Sequence, residues 1–299
     1  HLVDIRHKKA LSDCVSGYNI IFHNVAQVPL VNNKRLFKEV NINGTDNVCS
    51  SAVINKVKTI VYISSSAVYG VPSRNPVTEQ TRPTPMEEYG QAKYEAELIC
   101  KKYADSGINI SIIRPRTILG HGRLGLFSIL FKWVKEGYNI PVLDKGKNIY
   151  QFVHADDLAE ACIAVLNVGN NFNLYNIGAK DYGTMYDVLE HLCFYANTGS
   201  KITSLPLRPI EMMINISSKL GIIPLAKYHS LMYGRSLYFD ISKAENELGY
   251  SPNFSNNKMI IDSYKWYLKN MNLFDSNSDI SIHKKPLNEK LLRLVKWIL

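Results

Sequence analysis

The sequence predicts an α/β fold built on a doubly wound parallel sheet, and three observations predict it. Short apolar runs of strand length, at 18–26, 57–64 and 108–113, alternate with stretches of helical spacing at 34–55 and 86–104. The links between successive strands are long enough for parallel crossovers, which a hairpin turn cannot provide. Glycines punctuate the alternation: Gly17 precedes the first strand, and Gly107 stands where the helix before the third must end.

Taken in order, residues 2–6 (LVDIR) lead into a short helical pattern carried by Ala10, Leu11, Cys14 and Val15. After the first strand, Leu36, Phe37, Val40, Val48, Ala52 and Val53 recur at near-helical spacing. The strand at 57–64, the helix at 86–104 and the strand at 108–113 follow. Beyond Pro115 come a helix at 126–135, a short segment at 140–143 and a strand at 150–154. Asp156 and Asp157 are placed to cap a helix over 158–166, where carboxylates suit the helix dipole. A strand at 172–177, a helix at 184–196 and a strand at 202–205 come next. Asp240 or Ser242 caps a helix ending at Gly249, and 255–270 reads as an amphipathic helix. Residues 209–223 are apolar but too short and polar-interrupted to span a bilayer. Residues 275–286 read as loop. The tail at 287–299 reads as a basic amphipathic helix with Leu287, Leu291, Val295 and Ile298 on one stripe, expected to dock on the domain or on a subunit partner, with contact to a membrane surface as the alternative.

Composition removes several function classes. With 299 residues, 46% hydrophobic and 20% charged, the chain has material for one large or two modest domains. The net charge of +9 is spread along the chain without interleaved aromatics, which argues against nucleic-acid binding. The five cysteines are an odd number, widely spaced and without C-x-x-C, so neither a disulfide framework nor a zinc site is expected. The eight histidines show no metal-ligand spacing either, and no metal is expected. With no secretory signal and no apolar run of about 18 residues, no membrane span is expected, and a reduced, cytoplasmic setting fits.

The chemistry is concentrated in residues 61–93. The strand ends in three hydroxyls, Ser64, Ser65 and Ser66, and the next helix carries Tyr89 and Lys93 four residues apart, on one face. A Tyr can exchange the proton of an alcohol, a Lys can lower the Tyr pKa, and a Ser can hold the oxygen. Tyr-x-x-x-Lys alone has little specificity among 18 tyrosines and is as readily a surface helix pair. Together with the Ser-rich strand end 24 residues upstream, which separates Ser65 from Tyr89, coincidence is a poor account.

Several further motifs complete a pattern: VNINGT at 40–45, ISSSAVYG at 63–70, YGQAK at 89–93, IIRPRTILG at 112–120, QFVHADDLA at 151–159, FNLYNIG at 172–178 and LGYSP at 248–252. In this order and over most of the chain, they resemble the extended short-chain dehydrogenase/reductase family. That family includes nucleotide-sugar epimerases and dehydratases and the 3β-hydroxysteroid dehydrogenases. The resemblance implies a Rossmann-like NAD(P)-binding domain over 1–117 and about 149–180. It also implies a smaller α/β substrate-binding region over about 118–148 and 181–274, followed by the tail at 275–299. Carried onto this chain, it makes Tyr89 the general acid/base, Lys93 its partner and Ser65 the hydroxyl at the substrate oxygen. Asp4, Ile5, Asn24, Val25, Ala26, Asn41, Ser64 and Pro115 join Tyr89 and Lys93 around the cofactor. Ser66, Thr117, Arg123 and Arg235 are assigned to the substrate. NAD is the implied cofactor, with NADP open. A nucleotide-sugar is the implied small-molecule partner, and a homodimer through the helices at 34–55 and 86–104 is the implied assembly.

Three departures from the pattern bear on the chemistry. No Gly-rich turn precedes Asp4, and the chain starts at His1, so it reads as an N-terminally truncated sheet with an exposed edge, binding dinucleotide poorly. The acid pair that dehydratases use falls on Ser66 and Ala67, neither a proton donor of that strength, which disfavours dehydration. The place of an arginine facing a sugar diphosphate falls on Tyr150, leaving Arg123 or Arg235 to supply the charge. An NAD-dependent nucleotide-sugar epimerase is therefore the expected activity. A 3β-hydroxysteroid-type dehydrogenase and a non-catalytic dinucleotide-binding scaffold are the alternatives.

Overall fold

The computed structural model describes residues 1–28, 34–125, 127–169, 171–206, 209 and 234–272. The expected loop at 275–286, the tail helix at 287–299 and nearly all of the apolar stretch at 209–223 lie outside the described residues. The chain divides into two compact units. One comprises His1–Arg116, Leu158–Ile177 and Phe239–Ser251; the other comprises Thr117–Asp157, Gly178–Tyr238 and Pro252–Leu299.

The first unit begins with α1 (Lys8–Val15), β1 (Ile20–His23) and the helical turn α2 (Lys34–Leu36), which runs through a π-helical stretch at Phe37–Asn43 into α3 (Gly44–Ile54). Strand β2 (Thr59–Ile63), a 3₁₀ turn at Ser66–Tyr69, α4 (Glu88–Asp105) and β3 (Asn109–Pro115) follow. With β8 (Phe172–Ile177) they form one sheet in the order β1-β2-β3-β8, every pair parallel. The central strands are continuous apolar runs because both faces are covered: Ile60, Val61, Tyr62, Ile110, Ile112 and Ile113 are all buried. Cys49, Ala52, Ala96 and Cys100, small residues on α3 and α4, let both helices pack closely over Ile60, Tyr62, Ile110 and Ile112. At the other margin β1 pairs only with β2 among the described strands, and Ile20 and Phe22 are 40% and 49% exposed. Helix α8 (Ser242–Leu248) closes the unit.

The second unit holds β4 (Thr117–Leu119), α5 (Phe127–Lys135), β5 (Ile140–Leu143), β6 (Ile149–Tyr150) and β7 (Phe152–His154). It continues with β9 (Gly183–Thr184), α7 (Met185–Ala196), β10 (Ile202–Leu205) and α9 (Asn256–Lys269); α6 (Ala155–Ala164) starts in it. Its core is aromatic-rich, with Phe127, Phe131, Trp133, Phe152, Tyr264 and Tyr267 around Leu189 and Leu192.

Local chemistry moves several element ends from their expected places. The stretch at 34–55 is interrupted by the π-helical turns at Phe37–Asn43, where the Asn41 side chain leaves the helix to bind another segment. The strand expected at 150–154 is two short ones, because Ile149–Tyr150 pairs antiparallel with β9 and Phe152–His154 pairs parallel with β4; between them the Gln151 side chain donates to Ala179 O at 2.6 Å. Asp156 and Asp157 sit inside the first turn of α6 and do not cap it. The Asp157 carboxylate instead accepts from the main-chain N–H groups of Asn253 (2.9 Å) and Phe254 (3.3 Å). Asp240 acts two residues before the first residue of α8, accepting from Ser242 N and Oγ.

Candidate active site

The carboxyl end of β2 leads into Ser64, Ser65 and Ser66, and Lys93 of α4 bonds to its last residue. Lys93 is 2% exposed, and its ammonium donates to Ile63 O at 2.7 Å and to Tyr62 Oη at 3.2 Å. Burial holds its pKa down to about 8, opposed by the Glu97 carboxylate one turn further along α4. Tyr89 lies one turn before Lys93 on the same face, 8% exposed, its ring 6.1 Å from that of Phe37.

Two features set the start of α4. Glu87 takes the N-cap position and accepts from Tyr89 N at 2.8 Å and Gly90 N at 2.6 Å, satisfying two orphan donors. Burial raises its pKa to about 7 against those two bonds. Gly90 lies against the 3₁₀ turn so closely that a Cβ there would stand 2.5 Å from Ala67 O. The Tyr-Gly pair therefore lets the tyrosine's turn rest directly on the serine turn.

The three serines face different partners. Ser64 Oγ donates to Glu97 Oε1 at 2.5 Å. Ser66 Oγ accepts from Arg116 Nη1 at 2.8 Å. Ser65 Oγ accepts from Ala67 N at 3.1 Å, an acceptor role that leaves its O–H proton to donate elsewhere. Ser64, expected beside the cofactor, thus commits its proton to a buried carboxylate, whereas Ser66, expected beside the substrate, accepts from a buried guanidinium.

Behind them runs a buried network. Glu97 binds Arg114 through Nε–Oε1 (2.9 Å) and Nη2–Oε2 (2.5 Å), and Arg114 Nη1 donates to Tyr69 Oη at 2.7 Å. Tyr69 Oη donates to Asn176 Oδ1 at 2.9 Å. The chain of bonds joins β2's end, α4, β3 and β8. Motif reading passes over Glu97 and Arg114, but two signals mark them. Glu97 continues the Tyr89–Lys93 face at i+4, and a charge inside an apolar strand run must find a buried partner.

The loop after β1, which carries the expected Asn24, Val25 and Ala26, is clamped by Asn41. Its Oδ1 accepts from Gln27 N at 2.7 Å, and its Nδ2 donates to Gln27 O at 3.0 Å. Thr45 Oγ1 donates to Asn41 O and receives His23 Nε2, whose ring burial keeps neutral with a pKa of about 3. Asp4 is held by Arg6 at 2.6 Å, and that hydrogen bond lowers its pKa to about 2. Ile5 is buried, with Asn47 Nδ2 donating to its carbonyl at 3.0 Å and α3 close above it at Gly44. Pro115 ends β3 opposite Ile177.

Thr117, Arg123 and Arg235 belong to the second unit. Thr117 Oγ1 and Tyr150 Oη lie 2.7 Å apart, and both arginines are half-buried.

Comparison with known proteins places these motifs. Residues 1–178 match the family model described as "NAD dependent epimerase/dehydratase family". The chain belongs to that family. Among relatives of this NAD dependent epimerase/dehydratase family member, "Uncharacterized protein y4nG" of Sinorhizobium fredii is 49% identical over 99% of the chain and 74% of its own length. "3beta-hydroxysteroid-dehydrogenase/decarboxylase isoform 1" of Arabidopsis thaliana is 28% identical over 83% of the chain and 62% of its own length. The fold is shared with the UDP-glucuronic acid 4-epimerase of Bacillus cereus, solved in complex with NAD. That structure has a TM-score of 0.71 and 23% identity, and the match covers 87% of this chain and 77% of it. The extended short-chain dehydrogenase/reductase resemblance and the Rossmann-type sheet both stand on these findings. No helix among the described residues is long and apolar enough to cross a membrane.

Proposed function

We propose that the chain is an NAD-dependent nucleotide-sugar epimerase working through a transient keto sugar, with Tyr89, Lys93 and Ser65 as its catalytic residues. The observation that carries this reading is the buried Lys93 ammonium, fixed on Ile63 O beneath the Tyr89 face of α4.

The donor set fits the nicotinamide-ribose part of NAD. Lys93 has three N–H donors and two acceptors among the described residues, Ile63 O and Tyr62 Oη, so one donor is left for a ribose hydroxyl. Asn41, by holding Gln27, shapes the loop at 24–26 that faces the same cofactor. Asp4 and Ile5 are assigned to its adenine end, with Ser64 and Pro115 along the strand ends. When bound, the dinucleotide supplies hydride acceptance and return.

The chain's own residues manage the proton. Tyr89 takes it from the sugar hydroxyl and later returns it. A phenol with a free pKa of about 10 needs a nearby cation to do so at neutral pH, and Lys93 supplies one. The Ser65 O–H donates to the same sugar oxygen. Ser66, Thr117, Arg123 and Arg235 are assigned to the sugar nucleotide, the two guanidinium groups suiting a diphosphate. A cytoplasmic homodimer completes the reading.

A specific observation keeps the 3β-hydroxysteroid dehydrogenase alternative in view. Tyr150, where a diphosphate-binding arginine is expected, is 6% exposed and turned onto Thr117. Incubation with NAD and either UDP-glucose or UDP-galactose separates the two. Interconversion of the sugars with no net rise in nicotinamide absorbance supports the epimerase. Net NADH production from a sterol alcohol, with the sugars unchanged, overturns it.

A further inference from the structure

We propose that the second unit carries a divalent transition-metal site made by His121, His154 and Asp262. One nitrogen from each imidazole and one carboxylate oxygen lie within 4.8 Å of one another. Sequence spacing conceals this set, because its members come from the turn after β4, the end of β7 and the middle of α9.

The geometry is that of a ligand shell. Asp262 Oδ2 lies 3.4 Å from His154 Nε2 and 3.9 Å from His121 Nδ1. Tetrahedral coordination with metal–ligand bonds of about 2.0–2.2 Å sets ligand atoms roughly 3.3–3.5 Å apart. The first separation already meets that spacing, and the exposed His121 needs only a small rotation to meet the second.

The interior is built and unsatisfied. His154 is 0% exposed, yet its Nε2 and the buried Asp262 Oδ2 each lack a hydrogen-bond partner among the described residues. Buried polar atoms are seldom left so. Phe254 stacks on the His154 ring at 3.7 Å and fixes its plane. Gly120, at φ +129°, keeps the space beside Nε2 open, since a Cβ there would come within 2.9 Å of it. His121, 54% exposed, gives the ion a way in.

Asp156 supplies the outer contact that metal-bound imidazoles use. Its Oδ2 is 3.5 Å from His154 Nδ1 and 3.8 Å from His121 Nε2, so each ring has one nitrogen toward Asp262 and the other toward Asp156. His154 Nδ1 accepts from Asp156 N at 3.2 Å, which fixes the ring with Nε2 toward Asp262. Two nitrogens and one oxygen, with water in the fourth position, suit Zn²⁺ or Co²⁺ better than Mg²⁺ or Ca²⁺.

The test uses chelator-stripped protein, titrated with ZnCl₂ by calorimetry and with CoCl₂ by visible absorption. The expected result is one ion per chain, tetrahedral Co²⁺ bands and a raised Tm. His121→Ala, an exposed change that spares the fold, abolishes all three, and Asp156→Asn weakens affinity by about 10–100-fold. Substituting the partly exposed Cys14 and Cys193 by Ser leaves them unchanged. Absence of stoichiometric binding, or binding undiminished in His121→Ala, overturns the site.

Discussion

Lys93 Nζ donates to the main-chain oxygen of Ile63 at 2.7 Å, a bond that ties the Tyr89 face of α4 to the last residue of β2. Burial brings this lysine down to about 8 from its ordinary 10.5. The ammonium is the form that favours a Tyr89 phenolate, and it exists below that pKa. Turnover is therefore expected to fall as pH rises through about 8. Lys93→Arg, permanently charged, removes that limb from a kcat–pH profile whatever it does to the plateau. A wild-type profile flat to pH 10 contradicts the assignment.

The three serines are expected to separate by readout. Ser65→Ala lowers kcat with little change in Tm, because among the described residues its side chain makes one hydrogen bond, the acceptance from Ala67 N. Ser64→Ala acts on stability, by about 1–3 kcal/mol, since it strips a buried carboxylate of a donor. Paired kinetics and denaturant melts of both variants check this.

Glu97 and Arg114 are a buried ion pair with side chains 4% and 5% exposed. Glu97→Ala leaves the guanidinium uncompensated and should cost about 3–5 kcal/mol in urea unfolding. The double change Glu97→Leu with Arg114→Met should recover much of that loss. Additive losses in the double variant contradict the pairing.

Burial raises Glu87 to about 7 from 4.5, so between those values the folded state binds more protons than the unfolded. Its stability contribution is full below pH 4.5 and is lost as pH rises through about 7. Relative to Glu87→Gln, which cannot titrate, the wild type should lose stability from pH 4.5 to 7.5 in denaturant titrations. A pH-independent difference contradicts the buried carboxylate.

Much of this architecture is legible in the sequence, and the reasons are local. The strand Phe172–Ile177 and the strand Ile202–Leu205 fall where their apolar runs place them, and Thr184 caps α7 through a capping box with Asp187. What escapes reading are side chains whose partners are distant. Asp157 resembles a helix cap until Asn253 and Phe254 fold onto it. Asn41 sits inside a helical stretch while its amide serves Gln27, fourteen residues earlier. The motif points to Ser65 among the three serines, but that Ser64 serves Glu97 and Ser66 serves Arg116 is not legible in it, since both partners arrive from other elements.

The most direct test of the central claim is the rate of UDP-glucose to UDP-galactose conversion with NAD, comparing wild type with Tyr89→Phe. The phenol's hydroxyl is the proton carrier, and loss of such a group lowers rates by about 10²–10⁴-fold. The account predicts sugar interconversion without net NADH in the wild type and a fall of that order in Tyr89→Phe, with Tm unchanged. Equal rates in the two proteins would contradict it.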